Sequence, residues 1–222
     1  MLIMTDRKKS GCRRVLVTAG PTWTRIDRVR VIGSIFSGET GLRIANHMAS
    51  KGDRVTVLLG PGGISLAPLA YAGMEISHFV YFSDLERSIV QRLSQTAFDV
   101  IIHSAAVSDY RSMDEYPGKI DSELGRWDLA LGPTRKLSEQ IRHLAPSSFL
   151  VTFKLEFDLS ESDLIRVSQD SLTRYGSDLV VANDLDHIRG EFHRAFLIPK
   201  DGEIVRAETK SELCEKLYQC TL

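Results

Sequence analysis

Three arginines, Arg25, Arg28 and Arg30, stand beside Asp27 in a segment that begins at Gly20-Pro21 and ends at Ser37-Gly38-x-x-Gly41. A serine and glycines at a helix start offer free backbone N–H groups, the positive end of a helix dipole and a backbone that a ligand can approach closely. Those are the requirements of phosphate binding, and Ser37, Gly38, Gly41 and Gly20 are its candidates. The same residues would also suit a serine-capped helix flanked by surface arginines. The link from the first strand to this helix is 19 residues long and lacks G-x-G-x-x-G. That spacing disfavours the usual dinucleotide fingerprint.

Further along, His103-Ser104-Ala105-Ala106-Val107-Ser108-Asp109-Tyr110 follows a β-branched run. Ala105 and Ala106 leave room for a planar base or a sugar, and Asp109 could hold a ribose hydroxyl or a base edge. The plainer alternative is a tight strand exit with Asp109 in water. His103, with no placed partner, is assigned to packing or support. Lys119, in Tyr116-Pro117-Gly118-Lys119-Ile120-Asp121-Ser122, could swing toward a polyphosphate and neutralise charge on a leaving group. A solvated surface lysine is the competing reading. Tyr116 and Lys119 are three apart and follow each other across Pro-Gly, so the Tyr-x-x-x-Lys of short-chain dehydrogenases is missing and an NAD(P)-dependent reductase is disfavoured. Phe153 and Lys154 could sandwich and pin a base, with Asn183 supplying paired donors and acceptors. The alternatives are core packing for Phe153 and a Lys154–Glu156 salt bridge. His187 and His193 are six apart and match no zinc spacing. A magnesium ion carried by nucleotide phosphates needs only one or two carboxylates. Asp109 and Asp184 could serve, and the choice of metal ligands stays open.

These residues fall between recurring elements. Apolar runs at 14–19, 54–59, 74–80, 98–102, 149–157, 178–182 and 195–199 read as strands, with a short one near 204–205. Helical spacing marks a helix opened by Ser37-Gly38 and stopped by Gly52, and others near 85–93, 134–144, 162–175 and 210–220. Residues 111–128 show neither period and form a long loop. The alternation predicts an α/β, Rossmann-like fold: a mostly parallel sheet with helices on both faces. Such sheets bind ligands beyond their strands' carboxyl ends. Here those ends carry Gly20, Ala105, Ala106, Phe153, Lys154 and Asn183. Residues 1–12 read as a polar tail and 13–222 as one nucleotide-binding domain.

Composition narrows the class. Lys plus Arg number 28 against 29 Asp plus Glu, which argues against general nucleic-acid coating and against an anionic membrane surface. No run approaches a membrane span, and no signal-peptide core precedes the early charges. Three cysteines without C-x-x-C make neither a disulfide framework nor a four-cysteine zinc site. A cytoplasmic address follows by default.

Taken in order, the segments resemble the phosphopantothenoylcysteine synthetase (phosphopantothenate–cysteine ligase) family. The matching pieces are Ala19-Gly20-Pro21-Thr22, Ile26-Asp27-x-Val29-Arg30, Ser37-Gly38-x-x-Gly41, residues 103–110, Lys119-Ile120-x-Ser122, Phe153-Lys154-Leu155-Glu156 and Val181-Ala182-Asn183-Asp184. The loop at Lys119 and the later His193-Arg194-Ala195 are most similar to the free-standing form of that family. The resemblance implies a ligase of coenzyme A synthesis that takes CTP or ATP, with Mg2+, and joins 4′-phosphopantothenate to cysteine through an acyl-nucleotide. It places Ala105, Ala106, Asp109 and Phe153 around the nucleotide, Lys119 against the triphosphate, Ser37, Gly38 and Gly41 at a phosphate-binding helix start, and two chains in a homodimer. One departure stands out. The family carries asparagine, in contact with the acyl-nucleotide, where this chain has Ser34. A shorter donor arm at that point raises a second reading, a paralogue that binds nucleotide without ligating.

Overall fold

The computed structural model describes residues 12–62 and 74–222. The expected tail lies almost wholly outside them. In chain order the elements are β1 (Arg14–Ala19), β2 (Thr24–Arg25), β3 (Val31–Ile32), α1 (Glu39–Ser50), β4 (Arg54–Leu59) and β5 (Glu75–His78), then α2 (Phe82–Gln95), β6 (Val100–His103), β7 (Tyr110–Ser112), β8 (Leu131–Pro133), α3 (Leu137–Leu144) and β9 (Phe149–Glu156), and last α4 (Glu161–Tyr175), β10 (Leu179–Arg189), β11 (Phe192–Pro199), β12 (Val205–Thr209) and α5 (Lys210–Cys220).

One eight-stranded sheet runs β12-β11-β10-β9-β6-β1-β4-β5. From β5 through to β10 every neighbouring pair is parallel, and β11 and β12 are added antiparallel at one edge. Strands buried on both faces explain the continuous apolar runs. Val15, Val17, Val55, Val57 and Ile102 pack under Leu42, Ala45 and Met48 of α1 and Leu213 and Leu217 of α5. On the opposite face Leu16, Leu58, Ile101 and Leu150 meet Leu85 and Ile89 of α2 and Leu137 and Ile141 of α3. Leu164 of α4 covers Ala182, Phe196 and Ile198 on that same side. The Rossmann-like class with helices on both faces is therefore the observed one.

Two departures from the sequence reading bear on the site. Within the 19-residue link and the long loop lie two small ribbons, β2 with β3 and β7 with β8. Thr24 Oγ1 donates to the Tyr110 carbonyl and joins them (3.1 Å). The strand expected to end at Ala182 continues to Arg189. Its parallel pairing with β9 stops at Asp184, but its antiparallel pairing with β11 goes on past a register shift between Asn183 and Ile188. Asn183 thus sits inside a strand at a bulge, where polar residues look like a strand end in sequence.

Candidate active site

Strand order reverses at β1 and β6: the chain moves outward from β1 through β4 to β5, then crosses to β6. A crevice at the carboxyl ends of that pair is where open α/β sheets bind ligands. Its floor is main chain. The Ala106 N–H donates to the Gly20 carbonyl (3.0 Å), and the Thr22 N–H donates to the Ala106 carbonyl (3.2 Å). Ser104 Oγ donates to the Thr18 carbonyl (2.7 Å), and the Ser108 N–H donates to Thr22 Oγ1 (2.8 Å). Gly20, Ala105 and Ala106 are brought together as the sequence expected. The threonines and serines that tie the two exits were missed. Their only signal is a hydroxyl every two to four residues along both exits.

Helix α1 reaches this floor through its glycines. Gly38 is the N-cap, at φ 87°. A Cβ there would come within 2.8 Å of the Gly20 backbone nitrogen. A Cβ on Gly41 would collide with Ser104 Oγ and lie 2.6 Å from the Ala19 Cβ. Close approach, rather than ligand room alone, therefore requires Gly38 and Gly41. Ser37 does not cap the helix as its N-cap residue; it lies one residue earlier, and its Oγ accepts from the Glu39 N–H (3.3 Å).

Beneath the floor, buried His103 shares a 2.8 Å hydrogen bond between Nδ1 and Thr18 Oγ1, which in turn accepts from the Ala105 N–H (3.3 Å). Burial lowers the His103 pKa to about 4, so the ring is neutral near pH 7 and supports the strand exits. That agrees with the supporting role read from sequence.

Thr152 of β9 pairs with His103, so Phe153 stands level with the β6 exit. Phe153 is half-buried and packs on the core beneath α1 and α5. Lys154 points to the other face, because adjacent strand residues alternate. Its ammonium lies 2.6 Å from Glu156. The two residues therefore do not flank one space from either side. Asn183 shares the Phe153 face and is buried, with its Oδ1 3.0 Å from His193 Nε2. Burial, and then the nearby Lys210 ammonium, hold the His193 pKa down to about 4. Lys210 is itself buried and donates to Glu39 in the first turn of α1 (2.7 Å). This polar cluster behind the helix start was not anticipated, because Lys210 sits among polar neighbours and its pairing with Glu39 joins distant parts of the chain.

At the rim, Asp109 is exposed and receives Lys136 Nζ at 2.5 Å. Asp184 is buried and accepts from the Leu159 and Asp186 N–H groups (3.1 and 2.9 Å). Among the described residues no group of three His, Cys, Asp or Glu is placed to hold a metal ion. Ser34 and Lys119 are exposed. Of the cations placed near the site by sequence, Arg25 lies 3.5 Å from Glu115, Arg30 pairs with Asp27 and Lys154 with Glu156. Arg28 and Lys119 meet no carboxylate among the described residues, and the Arg28 N–H donates to the carbonyl of Gly118, beside Lys119 (3.0 Å).

Known proteins share this sequence pattern and this fold. The model of the family described as DNA/pantothenate metabolism flavoprotein C-terminal domain matches residues 11–221. The chain belongs to this family. It is 35% identical over 207 residues to the coenzyme A biosynthesis bifunctional protein CoaBC of Thermococcus kodakarensis, an alignment covering 93% of this chain and 50% of that protein. The chain spans about half the length of the curated relatives it matches. Among solved structures, the DNA/pantothenate metabolism flavoprotein of Streptococcus pneumoniae aligns with a TM-score of 0.84 at 28% identity, over 94% of this chain and 97% of that one. A Cab2 variant in complex with phosphopantothenate-cysteine aligns with a TM-score of 0.75 at 18% identity, over 94% and 86% of the two chains, and shares the fold. The family resemblance read from the ordered motifs is thus the observed one.

Proposed function

We propose that this chain is a nucleotide-dependent ligase that joins 4′-phosphopantothenate to cysteine in coenzyme A biosynthesis. The observation that carries the reading is the family match across residues 11–221. The strand-order reversal at β1 and β6 supports it, as does Lys119, which meets no carboxylate among the described residues. A carboxylate alone cannot acylate an amine, because oxide or hydroxide would have to leave. In the proposed reaction a carboxylate oxygen of phosphopantothenate attacks the α-phosphorus of CTP or ATP. The bond from that phosphorus to pyrophosphate breaks, leaving an acyl-nucleotide. The cysteine amine then attacks the acyl carbon, the acyl C–O bond breaks, the nucleoside monophosphate leaves and the amine gives up a proton.

The chain's work in this scheme is to bring two anions together out of water. Ser37, Gly38 and Gly41 would receive phosphate at the start of α1, with Gly20 in the floor below. Ala105, Ala106, Asp109 and Phe153 would line the nucleotide, with Lys154 on strand β9 and Asn183 behind them within β10. Lys119 would neutralise the triphosphate as pyrophosphate departs, and Ser34 would donate to the acyl-nucleotide. Mg2+ would arrive on the nucleotide phosphates, since Asp109 and Asp184 are engaged with Lys136 and with backbone amides.

The reading includes a single domain over residues 13–222, a cytoplasmic enzyme and a homodimer. Support for the dimer is the apolar surface on the two ribbons: Val29, Val31, Ile32, Ile35, Tyr110, Met113 and Leu131 are all exposed there. Ser34 favours one alternative, a relative that binds nucleotide without ligating. The decisive assay is pyrophosphate release from CTP or ATP with phosphopantothenate and cysteine supplied. Release that depends on phosphopantothenate, with amide product once cysteine is added, is expected. A folded protein that turns over neither nucleotide overturns the ligase. Lys119→Ala is expected to keep measurable nucleotide binding while acyl-nucleotide formation falls by about 10²–10³-fold. A rate equal to the parent's contradicts the role given to Lys119.

A further inference from the structure

Lys119 lies in a stretch without regular structure, yet its backbone is fixed on both sides. Before it, the Gly118 carbonyl accepts from the Arg28 N–H (3.0 Å), and the Tyr116 N–H donates to the Ile26 carbonyl (3.1 Å). After it, the Ile120 N–H donates to Asp27 Oδ2 (3.1 Å), and the Ile120 carbonyl accepts from Arg30 Nη1 (3.2 Å). Asp27 is the hub of these contacts. Its side chain is wholly buried. Oδ1 accepts from the Val29 and Arg30 N–H groups (2.8 and 2.7 Å), closing a tight turn, and Oδ2 takes Arg30 Nη1 as well as Ile120. Burial alone would raise the Asp27 pKa, but the Val29, Ile120 and Arg30 bonds outweigh it and hold the group at about 2. A carboxylate that stays ionised, with both oxygens in use, spans two segments 93 residues apart in sequence.

We propose that Asp27 is a positioning residue for Lys119: it clamps the Lys119 loop to the β2–β3 ribbon, so that the exposed ammonium is presented from a fixed backbone instead of a free loop. The proposal rests on the ligase reading of Lys119. Its physical content is preorganisation. A long side chain on a free loop must be ordered anew at each turnover, whereas one on a pinned backbone loses only side-chain freedom.

The Asp27→Asn substitution isolates the clamp. The amide oxygen can keep the Val29 and Arg30 bonds of the turn, while the amide NH2 replaces Oδ2 and faces the Ile120 N–H and the Arg30 guanidinium, donor against donor. Two readouts are needed. Amide hydrogen exchange across residues 116–121, and tryptic cleavage of the Lys119–Ile120 bond, are expected to quicken in Asp27→Asn while the sheet stays protected. Unchanged exchange and cleavage overturn the proposal.

In a double-mutant cycle on pyrophosphate release, Asp27→Asn is expected to lower kcat by about 10²-fold. The same change in the Lys119→Ala background is expected to have no further effect. Additive losses show that Asp27 serves folding alone and overturn the proposal, with the ligase reading intact. A parent without turnover, or Lys119→Ala at the parental rate, overturns the reading of Lys119 and the proposal together. Asp27→Glu, which keeps the charge but displaces both oxygens, is the second variant should Asp27→Asn fail to fold. It must show the same loss of additivity.

Discussion

Two buried histidines flank the candidate site, and they set how the protein should respond to mild acid. Replacement of His103 and His193 by glutamine, singly and together, is the perturbation. Burial lowers both pKa values from the ordinary 6.5 to about 4, with Lys210 assisting at His193. As pH falls through 6.5, the unfolded chain takes up protons at both positions, but the folded chain does not until about pH 4. Stability is therefore fully present above the unfolded value and is lost as pH drops through this window. Between pH 7 and pH 5 each histidine costs about 2 kcal/mol by this linkage. With a urea slope of about 2 kcal/mol per molar, that is a midpoint shift of about 1 M for each. Urea unfolding followed by tryptophan fluorescence and by circular dichroism at the two pH values measures it. The parent should lose about 2 M in midpoint, each single variant about half of that, and the double variant little. An equal midpoint at both pH values in the parent, or an undiminished shift in the double variant, refutes the argument that these rings are buried neutral.

Two further outcomes follow from the crevice itself. Gly41→Ala forces a methyl group against Ala19 and Ser104, and should cost about 1–3 kcal/mol in urea unfolding while weakening nucleotide binding, because α1 must lift from the strand exits. Ser34→Asn should speed amide formation from the acyl-nucleotide by up to about 10²-fold and leave nucleotide affinity unchanged, as read by single-turnover product analysis.

The sheet and its helices were legible because burial on both faces writes uninterrupted apolar runs into strands such as Val15-Leu16-Val17 and Val55 to Leu59. The last helix, Lys210–Cys220, was bounded correctly from its pattern. The ribbons β2–β3 and β7–β8 were not legible. Two- and three-residue strands contain no period, and their residues are largely exposed. The length of β10 was hidden for a different reason. Past Ala182 the polar Asn183 and Asp184 are buried by partners that sequence cannot place: His193 across the antiparallel pair, and the Leu159 amide before α4. At the site, the small residues at 105–106 read as room for a base and the glycines at 20, 38 and 41 as places where a phosphate could approach, and the structure shows the glycines also serving close packing of the chain on itself. What they approach, each other's backbones, depends on chain crossings. Asp27 was visible as an acid among arginines, and an aspartate whose oxygen takes the N–H groups two and three residues on is a local signal. Its bond to Ile120 is a tertiary fact with no local trace.

The main-chain floor of the crevice has a consequence for how this protein can change. Hydrogen bonds between peptide groups hold Ala106 against Gly20 and Thr22, so the base of the cleft keeps its shape whichever side chains line the ribbons above it. Variation can then accumulate along the segments near Trp23 and Ile35 and from Glu123 to Leu129, away from the pinned Lys119 loop, retuning what is admitted without dismantling the seat.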